Sequence, residues 1–181
     1  MIRKMGGNAV FIQCDVSRVA EVKAVVDKIV EIYGRLDYAF NNAGIQVGPI
    51  PIVDYPEESL NKIIGVNLIG VWLCMKYEIP KMLKQGKGSI VNTSSTAGLV
   101  GIPGASAYAA AKHGVIGITR TVALEYAKAG IRANVICPGV IDTPLVSRLG
   151  ADTPDLIKIF VAIQPIGRFG MPEEVAEAVV W

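Results

Sequence analysis

Apolar residues follow two rhythms along this chain. Residues 9–14 (AVFIQC), 36–40 (LDYAF), 88–95 (GSIVNTSS) and 131–139 (IRANVICPG) are short runs rich in β-branched and aromatic side chains, and they predict four strands. Between them, apolar positions recur every three or four residues. Val19, Val22, Val26, Ile29, Val30 and Tyr33 predict a helix, with Ser17 as its N-cap and Gly34 just past its end. A second helical pattern covers about residues 57–83, where Pro80 is expected to kink or end it. A third covers about residues 106–129 and stops at Gly130, and PEEVAEAVVW opens a last helix with acidic residues in its first turn. Strands alternating with helices predict one α/β domain over residues 1–181, built on a doubly wound parallel sheet. The strands read as nearly continuous apolar runs, so helices should cover both faces. Ligands of such sheets bind beyond the carboxyl ends of the strands, and the tips NNAG, NTSS and CPG should converge there.

Composition narrows the function classes. The chain is 51% hydrophobic with a net charge of +2 and no run of Lys or Arg, so nucleic acid is not an expected partner. Cys14, Cys74 and Cys137 lie far apart without CxxC spacing, which reads as reduced, buried thiols rather than disulfides or a metal site. The longest apolar run, residues 63–75, is broken by Asn67 and is too short to span a bilayer, so no membrane partner is expected. Together these features suggest a cytoplasmic protein.

The chemistry must therefore lie in scattered polar residues. Tyr108 and Lys112 stand four apart in SAYAAAKHG, on one face of the third helix. A nearby cation favours phenolate, which makes tyrosine usable as an acid or base near neutral pH. The small residues Ala109, Ala110 and Ala111 would let a ligand come close. By spacing alone, the same pair is an ordinary surface contact. Ser95 stands at a strand end thirteen residues earlier, and alone it could simply cap a loop. Asn67 interrupts an apolar helix, where an asparagine is costly to bury without partners. His113 should point away from the Tyr–Lys face and be structural.

Taken in order, NNAG, GVNLIG, SIVNTSS, SAYAAAKHG and CPGVIDT resemble the short-chain dehydrogenase/reductase family along nearly the whole chain. The resemblance implies a Rossmann-like fold, NAD or NADP as cofactor, and interconversion of a secondary alcohol and a ketone. It implies Tyr108 as the catalytic acid/base, Lys112 lowering its pKa and binding the nicotinamide ribose, and Ser95 polarising the substrate oxygen. Asn67 would hold a water that links Lys112 to solvent. Asp15, with Val16, matches the segment that contacts adenine. Asn42, Ala43 and Gly44 match the loop beside the ribose, and Pro138, Gly139, Ile141 and Thr143 match the segment over the nicotinamide. Residues 142–165 would form a substrate lid carrying Leu145, Val146, Leu149, Leu156, Ile159 and Phe160. Substrates could be a sugar, a cyclic diol, a steroid-like alcohol or a 3-oxoacyl thioester. The family's dimers and tetramers imply a homo-oligomer.

Departures from the pattern qualify this. The glycine-rich pyrophosphate turn that opens the family's fold has no match here. The pattern reads as truncated at both ends, lacking the first two strands and the last. Such a chain alone is expected to bind NAD(H) poorly. An alternative function is a non-catalytic remnant that serves as an oligomerisation or interaction module.

Overall fold

Three parallel strands form the centre of the molecule in the order β1 (Tyr38–Asn41), β2 (Gly88–Thr93) and β3 (Ile131–Ile136). Tyr38 lies beside Ser89, and Ser89 beside Arg132. The structure is a computed structural model and describes residues 2–151 and 154–181. The helices are α1 (Val19–Tyr33), α2 (Glu57–Ile64), α3 (Gly70–Gln85), α4 (Ser106–Tyr126), α5 (Pro144–Ala151), α6 (Pro154–Ala162) and α7 (Pro172–Val180).

Alternation along the strands decides where the core lies. Ile90 of β2 and Ile131 and Ala133 of β3 turn to one face, against Val26 of α1, Val71, Met75, Ile79 and Met82 of α3, and Val115 of α4. Each large side chain buried there contributes roughly 1.5–3 kcal/mol. The α/β class and the parallel sheet are as expected, but the covered face is one rather than two. Tyr38 and Phe40 of β1 and Arg132 and Asn134 of β3 alternate outward and are exposed.

Residues 9–14 do not form the expected strand. They join no ladder, and Phe11 is 89% exposed. A strand exists only beside a hydrogen-bonding neighbour, and none reaches this segment. Ser17 does not cap α1 either. Its hydroxyl donates to Asp15 Oδ1 (2.7 Å), and Arg18 takes the cap position. Gly34 ends α1 with φ 76°, as its position predicts.

The long helical region runs from Glu57 to Gln85 through a π-helical turn, Gly65–Ile69, and passes Pro80 without ending. Pro80 and Lys76, whose carbonyl it leaves free, are both exposed, so water can serve that carbonyl. The region is long and apolar enough to cross a membrane, yet Val71, Leu73, Met75, Ile79 and Met82 are buried among the chain's own residues.

A chain of polar side chains crosses the core between helix and sheet. Asn41 Nδ2 donates to Glu78 Oε2 (3.1 Å) and to Asn92 Oδ1 (2.9 Å). Asn92 Nδ2 donates to Thr119 Oγ1 (2.9 Å), which donates to Val115 O (2.6 Å). Burial pushes the Glu78 carboxyl up to about 7, against the Asn41 hydrogen bond.

Candidate active site

The tip of β2 and the first turns of α4 are held together in both directions. Lys112 Nζ donates to Thr93 O (2.8 Å), and Ser94 Oγ donates to Lys112 O (2.8 Å). Gly98 makes this approach possible, because a Cβ there would strike Ser94 Oγ and lie 2.8 Å from Lys112 O. Lys112 is 4% exposed, and burial brings its ammonium down to about 8, with Cys137 opposing the shift. Its Nζ lies 5.5 Å from the Tyr108 ring centroid, as the i, i+4 spacing predicts.

Ser95 follows directly. Its Oγ accepts from Ala97 N (3.1 Å) and starts the short 3-10 turn Thr96–Gly98. That turn is tied to the tip of β3 by Thr96 N, which donates to Pro138 O (3.0 Å). Burial raises the Tyr108 phenol above its ordinary value, and a hydrogen bond with Ser95 pulls the other way. This corrects the expectation that Lys112 sets the direction. Burial penalises phenolate, and the ammonium is directed at the Thr93 carbonyl.

Asn67 is wholly buried in the π turn, and both ends of its amide are bonded. Oδ1 accepts from Ile45 N (2.8 Å), and Nδ2 donates to Ile45 O (2.8 Å). A π turn places a helical side chain out of the ordinary phase, a device common at functional sites. Here it clamps the loop after β1. A Cβ on Gly44 would stand 3.2 Å from Asn67 Oδ1 and 3.9 Å from Lys112 Nζ. Asn67, Ser95, Tyr108, Lys112 and Gly44 thus share one neighbourhood.

The remaining expected residues lie around it. Val16, Asn42 and Ala43 line a cavity of about 100 Å³ with Phe40, Val66 and Gly70. A Cβ on Gly70 would come within 2.8 Å of Val16 Cγ2. Asp15 lies next to Val16 at the exposed rim, where Ser17 N and Oγ hold its carboxylate below its usual range. Gly139 faces Gln164, since a Cβ would sit 2.5 Å from Gln164 Oε1. Ile141 pairs with Gly170, and Thr143 Oγ1 donates to Ile141 O (3.2 Å). Residues 142–165 hold α5 and α6 and spring from this Ile141–Gly170 bridge, which Asp142 N donating to Gly170 O (2.9 Å) reinforces. Val146 is buried, Ile159 is exposed, and the Leu156 side chain lies outside the described residues.

Some readings of individual residues change. Ala111 cannot admit a ligand, because it is fully buried against Ile63 and Ala107. The three cysteines are free but half-buried rather than buried. His113 is exposed and bonded to Ala109 O (2.9 Å), off the Tyr–Lys face. Sequence reasoning missed Thr93, Ser94, Gly98 and Ile45. Their parts are played by backbone carbonyls, a second serine and close approaches. The paired serines of NTSS were the one visible signal.

Comparison with known proteins identifies the family. The family model described as Enoyl-(Acyl carrier protein) reductase matches residues 1–181. The chain is 42% identical over 182 residues to the 2,5-dichloro-2,5-cyclohexadiene-1,4-diol dehydrogenase of Sphingobium indicum, covering 100% of this chain and 73% of that protein. Among solved structures, NAD+-bound xylitol dehydrogenase is 31% identical with a TM-score of 0.90, covering 98% of this chain and 74% of that one. ElxO with NADP bound is 35% identical with a TM-score of 0.87, covering 94% and 68%. The chain belongs to the short-chain dehydrogenase/reductase family and is an oxidoreductase of that family.

The residues present fit the nicotinamide end of such a cofactor. Thr93 Oγ1, at the tip of β2, is a buried hydroxyl without a partner. The Lys112 ammonium has three N–H groups and gives one to Thr93 O. Gly44 leaves the space between Asn67 and Lys112 that a Cβ would fill.

Proposed function

We propose that this chain carries the acid/base machinery of an NAD- or NADP-dependent enzyme interconverting a secondary alcohol and a ketone. The observation that supports this reading is the proximity of Tyr108 to both partners: the Lys112 ammonium lies 5.5 Å from its ring centroid, and its phenol is within reach of Ser95. The dinucleotide, when bound, supplies the hydride chemistry. Tyr108 gives or takes the proton of the substrate oxygen, and Ser95 hydrogen-bonds that oxygen. Lys112 stays charged at neutral pH, because about 8 lies above it, and has N–H groups to give to the nicotinamide ribose. Asn67 fixes Ile45, and so the NNAG loop, against this group. Asp15, Val16, Asn42, Ala43 and Gly44 would bind the adenosine and ribose side. Pro138, Gly139, Ile141 and Thr143 would border the nicotinamide.

The diol and polyol named for the relatives suggest a ring or chain alcohol as substrate. Residues 142–165 would close over it as a lid. Exposed Ile69, Trp72, Leu83 and Leu124 on the outer faces of the helices that carry the site would pack in a homodimer or homotetramer. A cytoplasmic location accords with three free thiols.

Replacing Tyr108 by Phe removes only the hydroxyl. Tyr108→Phe is expected to lower kcat by roughly 10²–10⁴-fold while nucleotide affinity, measured by fluorescence titration, stays within a few fold. A variant retaining more than about a tenth of the wild-type rate rules out Tyr108 as the acid/base.

A further inference from the structure

Among the described residues, two buried side-chain polar atoms lack a hydrogen-bond partner: Thr93 Oγ1 and Gln46 Oε1. Thr93 stands at the tip of β2, and Gln46 follows Ile45, whose backbone Asn67 holds. Thr93 is accounted for by the cofactor end, whereas Gln46 has no part in the proposed chemistry. Buried acceptors are nearly always paired, and an unpaired one carries a desolvation cost.

The position of Gln46 indicates what the oxygen is for. Its segment starts at Gly44, beside Lys112 Nζ. It is clamped at Ile45 by both groups of the Asn67 amide. Ile45 and Val47 on either side pack into the apolar cluster that contains Tyr108. Further on, Ile50 N donates to Gly104 O (3.0 Å), which ties the loop to the start of α4. Gln46 is therefore held on a rigid stretch running past Lys112, Asn67 and Tyr108.

We propose that Gln46 is a specificity-determining residue whose amide oxygen accepts a hydrogen bond from a second hydroxyl of the substrate. The inference rests on the oxidoreductase reading and sharpens it. An acceptor selects a donor, so a diol or hydroxyketone is favoured over a monofunctional alcohol. A site built around a substrate hydroxyl rejects the analogue lacking it, because the site's own polar group is then left unpaired.

The test compares cyclohexanol with cyclohexane-1,2-, 1,3- and 1,4-diol in the intact enzyme, wild type against Gln46→Met. In the wild type, kcat/KM for at least one diol should exceed that for cyclohexanol by roughly 10- to 100-fold. Gln46→Met should abolish that preference while cyclohexanol stays within about twofold, because Met cannot accept strongly. Its melting temperature should be unchanged or raised by about 2–4 °C, since an unpaired polar group has been removed. A diol preference that survives Gln46→Met, equal losses on both alcohols, or a lowered melting temperature overturns the inference and leaves the oxidoreductase reading intact. A wild type that oxidises cyclohexanol without preferring any diol does the same. If the wild type turns over none of these alcohols, nor reduces the corresponding ketones with either nucleotide, the inference falls, while the oxidoreductase reading is judged separately by Tyr108→Phe.

Discussion

The floor of the site and its rim are built by opposite means. At the floor, Asn67 and Lys112 are buried, and each is tied to backbone far away in sequence. Burial moves Lys112 down to about 8 and Tyr108 up. At the rim, Asp15 is exposed: its carboxylate accepts from Ser17, its N–H donates to Glu21 (2.7 Å) and its carbonyl accepts from Arg18 N (3.0 Å). Its carboxylate is merely held low by those local bonds. The floor can therefore tune proton transfer, because low-dielectric surroundings amplify each charge. The rim can add only modest, screened binding energy. Chemistry should fail when the floor is altered, and affinity alone when the rim is.

Lys112→Met gives the largest effect that tests this contrast. Carbonyl reduction requires the ammonium and a protonated phenol, so its rate should fall as pH rises through about 8. The variant should lose that limb and roughly 10²-fold or more in kcat. Lys112→Arg should not restore it, because a planar guanidinium does not replace a compact ammonium. The fold should tolerate Met, since a buried cation costs stability. An unchanged pH profile in Lys112→Met would separate this residue from proton transfer.

Glu78→Gln tests whether burial tunes a group outside the site in the same way. With a folded value of about 7, Glu78 keeps its proton in the folded chain over a range where the unfolded chain has lost it. Stability should therefore fall as pH rises from about 4.5 to about 7, by on the order of 3 kcal/mol. Gln accepts from Asn41 without ionising, so the variant should lose this slope and melt higher at pH 8. Urea titrations at pH 5 and 7.5 provide the measurement, and a slope that persists in the variant would locate it elsewhere.

Asp15→Ala should give the smallest effect. The nucleotide KM should rise by about 2- to 5-fold with kcat unchanged, the scale of an exposed polar contact. A tenfold loss of kcat would break the contrast between floor and rim.

Much of the floor was legible in the sequence. Helical period is local, so Tyr108 and Lys112 had to share a face wherever α4 packed. An asparagine within an apolar helix had to find partners, and Ile45 supplied both. Gly34 and Gly130 marked helix ends because only short-range backbone geometry is involved.

Other features depended on residues that meet only after folding. The apolar run of residues 9–14 has strand character, yet it joins no ladder because strand formation needs a neighbour, which local sequence does not specify. One face of the sheet is covered and the other open, although the strands read as nearly continuous apolar runs. The Tyr108 phenol shifts up rather than down, because desolvation sums over every group packed around it. Ala111 turned out to be core, and Gln46 an enclosed acceptor, for the same reason. Spacing along the chain determined which side chains share a face; tertiary packing alone determined what lies against that face, and so how its groups are desolvated.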